Sequence, residues 1–181
     1  FDNLNNRISY IYTSRGCPYR CAFCLSGRCS ALSFFDINEV KKSIIRLSNS
    51  GTKTIKFVDR TFNADYKRAN EILSFIIENH GTNIPKNVCF HFEIAGDILK
   101  EETFRILESA PKSLFQLEIG MQTFNEKTLA YINRKTDSEK LINNIKRLIS
   151  FNNMHIHIDL IAGLPYEDME SFERSFDIGY S

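Results

Sequence analysis

The sequence lacks any apolar run approaching the roughly 18 residues that a bilayer crossing needs, and no charged-then-apolar leader opens it. Both absences point to a cytosolic protein with no membrane partner. An excess of either charge is also missing. With 23 basic and 22 acidic side chains spread along 181 residues, the formal charge is +1, which gives no field to gather a nucleic acid. Low-complexity linkers and composition breaks are lacking too. One globular domain is therefore expected, with 43% hydrophobic residues, 15 Phe among them, to build its core. The chain starts at Phe1 without a methionine and stops at Ser181 within a helical pattern, so a piece of a longer protein is expected.

What is present is a repeated alternation. Segments 8–13, 54–58, 88–94, 114–120 and 155–161 are rich in β-branched and aromatic residues and read as strands. Between them lie stripes of helical period. Ile37, Val40, Ile44, Ile45 and Leu47 follow Asp36 with Glu39 three residues on, and Gly51 closes the segment. Ala69, Ile72, Leu73 and Ile76 mark a second helix, and a short third follows Leu99. Thr136 and Glu139, in capping-box spacing, open a fourth that carries Leu141, Ile145, Leu148 and Ile149; a fifth begins near Glu167. Repeated β-α units predict an α/β fold whose parallel sheet is either doubly wound or curled toward a barrel, five units being too few for a closed eight-fold one.

Buried parallel strands usually read as unbroken apolar runs, but three of these alternate. Phe90, Phe92 and Ile94 oppose Cys89, His91 and Glu93; Phe115, Leu117 and Ile119 oppose Gln116 and Glu118; Ile156, Ile158 and Leu160 oppose His155, His157 and Asp159. The apolar faces are expected against helices and the polar faces along a cavity.

Directly after the first strand comes Ser14-Arg15-Gly16-Cys17-Pro18-Tyr19-Arg20-Cys21-Ala22-Phe23-Cys24, at the sheet edge where α/β folds place ligand sites. Five cysteines is an odd count, and three within eight residues do not suggest a disulfide scaffold. Thiolates suit iron–sulfur clusters or zinc. Three on a four-iron cube leave one iron open for a ligand. Cys29, five residues past Cys24, keeps a non-enzymatic four-cysteine zinc module as the competing reading.

The C-x3-C-x2-C triplet, with an aromatic before its last cysteine and in this place, resembles the radical S-adenosylmethionine (SAM) superfamily. So do Leu117-Glu118-Ile119-Gly120-Met121-Gln122-Thr123-Phe124, Ile132-Asn133-Arg134 and Ile158-Asp159-Leu160-Ile161-Ala162-Gly163-Leu164-Pro165. The set is most similar to the branch of oxygen-independent coproporphyrinogen oxidases and methylthiotransferases, and to members with an amino-terminal cobalamin-binding domain. The resemblance implies that residues 1–181 form a radical SAM core, a partial (β/α) barrel of about five to six parallel strands with outer helices, open where a TIM barrel is closed. It implies a [4Fe-4S] cluster on Cys17, Cys21 and Cys24 that cleaves SAM reductively to a 5'-deoxyadenosyl radical acting on an unknown substrate. An electron donor such as flavodoxin or ferredoxin is implied, with cobalamin entering through a domain outside residues 1–181. Cobalamin-dependent methyl or methylthio transfer and simple hydrogen abstraction both stay open.

By position, the resemblance puts Glu93 and Asp159 on the SAM ribose, Gln122 on the nucleoside, Arg134 on the methionine carboxylate, and Phe23 and Ile161 beside the adenine. A diol donates two hydrogen bonds to a carboxylate, and a guanidinium matches a carboxylate bidentately. The Gly-Gly-Glu segment of many members is replaced by Val58-Asp59-Arg60-Thr61-Phe62. His91, His155 and His157 read as polar-face groups without a catalytic role, and Cys89 as a small hydrophobe.

Overall fold

The computed structural model describes residues 4–28 and 31–180. Five strands, β1 (Ile8–Ile11), β4 (Thr54–Phe57), β5 (Cys89–Ile94), β6 (Phe115–Gln122) and β7 (His155–Leu160), form one parallel sheet in chain order. The expected strands are all present. A second, two-stranded antiparallel pair, β2 (Ser14–Arg15) with β3 (Ser33–Phe34), was not expected; it closes the base of the cysteine loop.

Helices α1 (Ile37–Ser48), α2 (Tyr66–Asn79), α3 (Glu101–Glu108) and α5 (Ser138–Ser150) send their apolar stripes into one core shared with the sheet. That core holds Val40, Ile44, Ile72, Ile76, Leu107, Leu141 and Leu148 with the strand residues Ile55, Phe57, Phe90, Phe92, Phe115, Leu117 and Ile119. Phe92 stands at its centre, its ring centroid 4.4 Å from Phe62, 4.5 Å from Phe57 and 5.6 Å from Phe115. Burying each such ring is worth about 1.5–3 kcal/mol. The alternation in the strands thus does what the pattern implied, and one face of the sheet is oil while the other is charged.

Local starts and stops follow ordinary capping chemistry. The Asp36 carboxylate accepts from the N–H groups of Asn38 and Glu39, and Asp65 accepts from Lys67 and Arg68 at the start of α2. Gly51, at φ +86°, takes the left-handed turn beyond α1, where a Cβ would fall 2.0 Å from Asn5 Oδ1. The cap of α5 is a correction: Asp137, not Thr136, accepts from Lys140 N, because the aspartate reaches the free N–H and leaves the Thr136 hydroxyl buried without a partner among the described residues. Ile149, expected in that helix's buried stripe, is exposed instead. Two further helices, α4 (Glu126–Tyr131), capped by Asn125, and α6 (Met169–Tyr180), flank the end of β6. Among the described residues no helix is long and apolar enough to cross a membrane.

Candidate active site

The strands are parallel, so the loops that leave β1, β4, β5, β6 and β7 emerge at one edge of the sheet. The cysteine loop is fastened there at both ends. At its start, buried Asp59 accepts four hydrogen bonds: from Thr13 N (2.9 Å) and Thr13 Oγ1 (2.9 Å), and from Ser14 N and Ser14 Oγ (2.7 Å). Arg68 Nη2 donates to Phe35 O (2.8 Å) and Thr13 O (3.3 Å), joining the two strands of the small hairpin. Further along, Ala22 N donates to Ile132 O (2.8 Å) and Asn133 Nδ2 to Arg20 O (3.0 Å). Asn133 holds the left-handed conformation (φ 53°) that asparagine tolerates better than most residues.

Cys17 and Cys21 are buried and Cys24 is half-buried; Cys24 N donates to Cys21 O (3.0 Å) in the turn that contains exposed Phe23. Cys17 Sγ lies 3.5 Å from Thr61 Oγ1, and Arg134 Nη1 lies 3.8 Å from Cys21 Sγ. Arg134 Nη2 also donates to Gly120 O (2.8 Å), its guanidinium stands over the Tyr19 ring at 5.9 Å, and its buried Nε has no hydrogen-bond partner among the described residues.

Thr61 and Arg134 are at once neighbours of the thiols and walls of a cavity of about 130 Å³, lined also by Glu93, Glu118, Gly120, Gln122 and Asp159. Four of the residues foreseen around SAM thus meet in one place: Glu93, Gln122, Arg134 and Asp159. Phe23 and Ile161 do not line it. Ile161 sits just past β7, its N–H donating to Gln122 O (2.9 Å). Gln122 is at φ 67° beside a register shift in β6, and this bulge turns its amide over Gly120, where a Cβ would fall 2.0 Å from Gln122 Nε2. A side chain at position 120 would therefore displace the Gln122 amide from this place. The volume is well below the roughly 300–1,000 Å³ of ligand pockets, so a molecule of SAM's size would extend out of it over the polar sheet face. A larger cavity, about 520 Å³, lies at the opposite edge of the sheet among Lys112, Ser113, Asn152 and His155, and no residue of the cysteine loop lines it.

The polar face carries its own charge pattern. Lys56 Nζ stands 3.1 Å from Glu118 and 3.8 Å from Glu93, and His91 Nε2 is 3.2 Å from Glu118. Burial, then the Glu118 charge, raises the pKa of Glu93, and the same two causes raise that of Asp159. Burial followed by Lys56 lowers that of His91. Burial pushes the Cys89 thiol up to about 11, in keeping with an inert residue. Sequence reasoning missed Asp59, Thr61 and Glu118. Glu118 was signalled by its place on the polar face opposite Glu93 in register; nothing in the sequence pairs Asp59 with Thr13 and Ser14, which lie 46 and 45 residues away.

Fold and site together define an α/β enzyme domain with its chemistry at the carboxyl edge of a parallel sheet. The chain matches the Radical SAM superfamily over residues 11–178 and belongs to it. It is 24% identical over 190 residues to tRNA-2-methylthio-N(6)-dimethylallyladenosine synthase of Rickettsia felis, covering 98% of this chain and 43% of that protein. It is 27% identical over 177 residues to ribosomal protein uS12 methylthiotransferase RimO of Caldicellulosiruptor saccharolyticus, covering 93% of this chain and 39% of that one. The chain therefore spans less than half the length of these relatives. In fold it is similar to the radical SAM methyltransferase TsrM from Kitasatospora setae, solved with cobalamin and a [4Fe-4S] cluster, with a TM-score of 0.80, 17% identity and coverage of 97% of this chain and 34% of that one. The five-stranded sheet with outer helices is the partial barrel expected from the sequence.

Membership brings a [4Fe-4S] cluster and SAM as cofactors, and the residues present fit them. Three free thiols stand in one loop, and the buried unpartnered Nε of Arg134 suits an anionic group. Among the described residues no three His, Cys, Asp or Glu side chains converge on a single metal ion. Cys29, on which the four-cysteine zinc reading depends, lies outside the described residues.

Proposed function

We propose that Cys17, Cys21 and Cys24 hold the [4Fe-4S] cluster and that SAM lies between them and the polar sheet face, in one radical SAM core domain spanning the chain. When bound, the cluster supplies the electron that cleaves the SAM sulfonium. The observation that carries this reading is Arg134, which touches Cys21 Sγ, ties itself to Gly120 O and lines the cavity with Glu93, Gln122 and Asp159. Its guanidinium binds the methionine carboxylate beside the cluster, Glu93 and Asp159 accept from the ribose hydroxyls, Gln122 supports the nucleoside, and Phe23 and Ile161 border the adenine. The electron comes from a donor such as flavodoxin or ferredoxin. Cobalamin-dependent methyl or methylthio transfer is the second reading. The relatives named as a tRNA-2-methylthio-N(6)-dimethylallyladenosine synthase and a ribosomal protein uS12 methylthiotransferase, with the likeness to the methyltransferase TsrM, favour it.

Anaerobic reconstitution with iron and sulfide, followed by EPR after dithionite reduction with and without SAM, tests the proposal. A reduced four-iron signal that shifts on adding SAM is expected; stoichiometric zinc with no iron uptake overturns it. Acidity gives a separate check. The raised pKa values of Glu93 and Asp159 mean that both take up protons above the ordinary carboxylate range, so SAM affinity is expected to fall as the pH drops toward that range. Their contribution to stability runs the other way: it is full below the ordinary carboxylate values and is lost as pH rises through the raised ones. Calorimetric SAM binding and thermal unfolding, measured at the same series of pH values, check both signs.

A further inference from the structure

The cavity wall contributed by the loop after β4 contains a hydroxyl that the proposed cofactor contacts do not use. Thr61 stands where the Gly-Gly-Glu segment was not found. It is buried, and its Oγ1 lies 3.5 Å from the Sγ of Cys17, which is itself buried. It precedes the short 3-10 turn Phe62–Ala64, yet its side chain makes no capping hydrogen bond to that turn. Its backbone, at φ −157°, is extended, the conformation that β-branched residues favour, so the hydroxyl is held in place without strain. The remaining contact of Oγ1 is with the carbonyl of Arg60, 2.7 Å away.

We infer that the Thr61 hydroxyl donates a hydrogen bond to the Cys17 thiolate and so raises the reduction potential of the cluster, making it easier to reduce. The inference rests on the proposed reading of Cys17 as a cluster ligand. A hydroxyl has one proton to donate. While Cys17 is a thiol, Sγ–H can donate to Oγ1 and the Thr61 proton can go to Arg60 O. Ligation removes the thiol proton and leaves negative charge on sulfur, and a charged acceptor attracts the stronger hydrogen bond. The hydroxyl then turns to Sγ and offsets part of the charge that builds up when the cluster takes an electron. Hydrogen bonds to the sulfurs are among the factors that set such potentials. Arg134 near Cys21 acts in the same direction, but its guanidinium also faces the SAM carboxylate, whereas Thr61 offers a donor whose removal changes neither charge nor shape. Thr61 is thus a positioning and tuning residue, not a catalytic one.

The test is a potentiometric titration of the reconstituted cluster, followed by EPR without SAM, in the wild-type protein, Thr61→Val and Thr61→Ser. Thr61→Val keeps the shape and removes the donor; Thr61→Ser keeps the donor. The expected result is about a tenfold fall in the reduced-to-oxidised ratio at fixed potential for Thr61→Val, which for one electron is a shift of 59 mV, with Thr61→Ser at the wild-type value. Equal potentials in all three proteins, with intact four-iron signals, overturn the inference and leave the cysteine assignment standing. Failure of the wild-type protein to take up iron overturns both. Should Thr61→Val not fold, Thr61→Ala is measured against Thr61→Ser, and equal potentials in that pair overturn the inference in the same way.

Discussion

Asp59→Ala is expected to destabilise the domain by about 3–5 kcal/mol, because it leaves four donors without an acceptor in a buried place. The donors are the N–H and hydroxyl groups of Thr13 and Ser14, and Asp59 is almost entirely sealed from water. For a chain of this size the loss corresponds to a fall in Tm on the order of 10 °C. Asp36→Ala supplies the comparison, since it also removes a carboxylate that accepts two backbone N–H bonds, but at the exposed start of α1. That change is expected to cost about 1 kcal/mol. The contrast separates the general effect of losing an aspartate from the effect of releasing the cysteine loop. Iron uptake by Asp59→Ala is expected to fall as well, because the strand-to-loop corner that aims Cys17 is the part set free. Urea unfolding of both variants, with iron content after reconstitution, checks the pair. A cost for Asp59→Ala no larger than for Asp36→Ala would mean that the corner is held by the sheet alone.

Asp59 also shows where sequence reading stops. The five strands were legible because their alternation repeats a local rule: Phe90, Phe92, Phe115 and Leu117 go into the core while His91, Glu93, Gln116 and Glu118 go to the polar face. The helices were legible from stripes and caps, and the one misplaced cap, Thr136 for Asp137, is an error of a single residue between two competent acceptors. The cysteine triplet was legible because its three thiols are close in sequence. Long-range fastening leaves no such trace. Asp59 with Ser14, Asn63 with Ala95 and Asn133 with Arg20 are pairs 45, 32 and 113 residues apart, and each partner alone reads as an ordinary loop residue. The convergence of Glu93, Gln122, Arg134 and Asp159 is of the same kind. It was named from resemblance, and only the register of β5, β6 and β7 with the bulge at Gln122 supplies a physical reason for it.

Arg134 is the point at which that convergence can be tested with the largest effect on ligand affinity. Arg134→Ala is expected to weaken SAM binding to the reconstituted protein by about 10–100-fold, the equivalent of losing a charged hydrogen-bonded pair worth about 1.5–3 kcal/mol. Arg134→Lys keeps the charge but loses the planar fork, so an intermediate affinity is expected. Iron content is expected to hold in both, because the cysteine loop remains pinned by Ala22 N to Ile132 O and by Asn133 to the Arg20 carbonyl. Asp159→Ala, on the other side of the same cavity, is expected to weaken binding by the smaller amount due to ribose hydrogen bonds, again with the cluster intact. Equilibrium SAM binding measured beside iron content separates the cases. Weak binding with full iron assigns Arg134 to the cofactor; lost iron makes it a post for the loop; unchanged affinity in both Arg134→Ala and Asp159→Ala removes SAM from the cavity. The geometry favours the first outcome. One N–H of the guanidinium bonds to Gly120 O, another faces Cys21 Sγ, and the buried Nε has no partner among the described residues, which leaves a donor suited to an anion at the place where the thiols and the sheet edge meet.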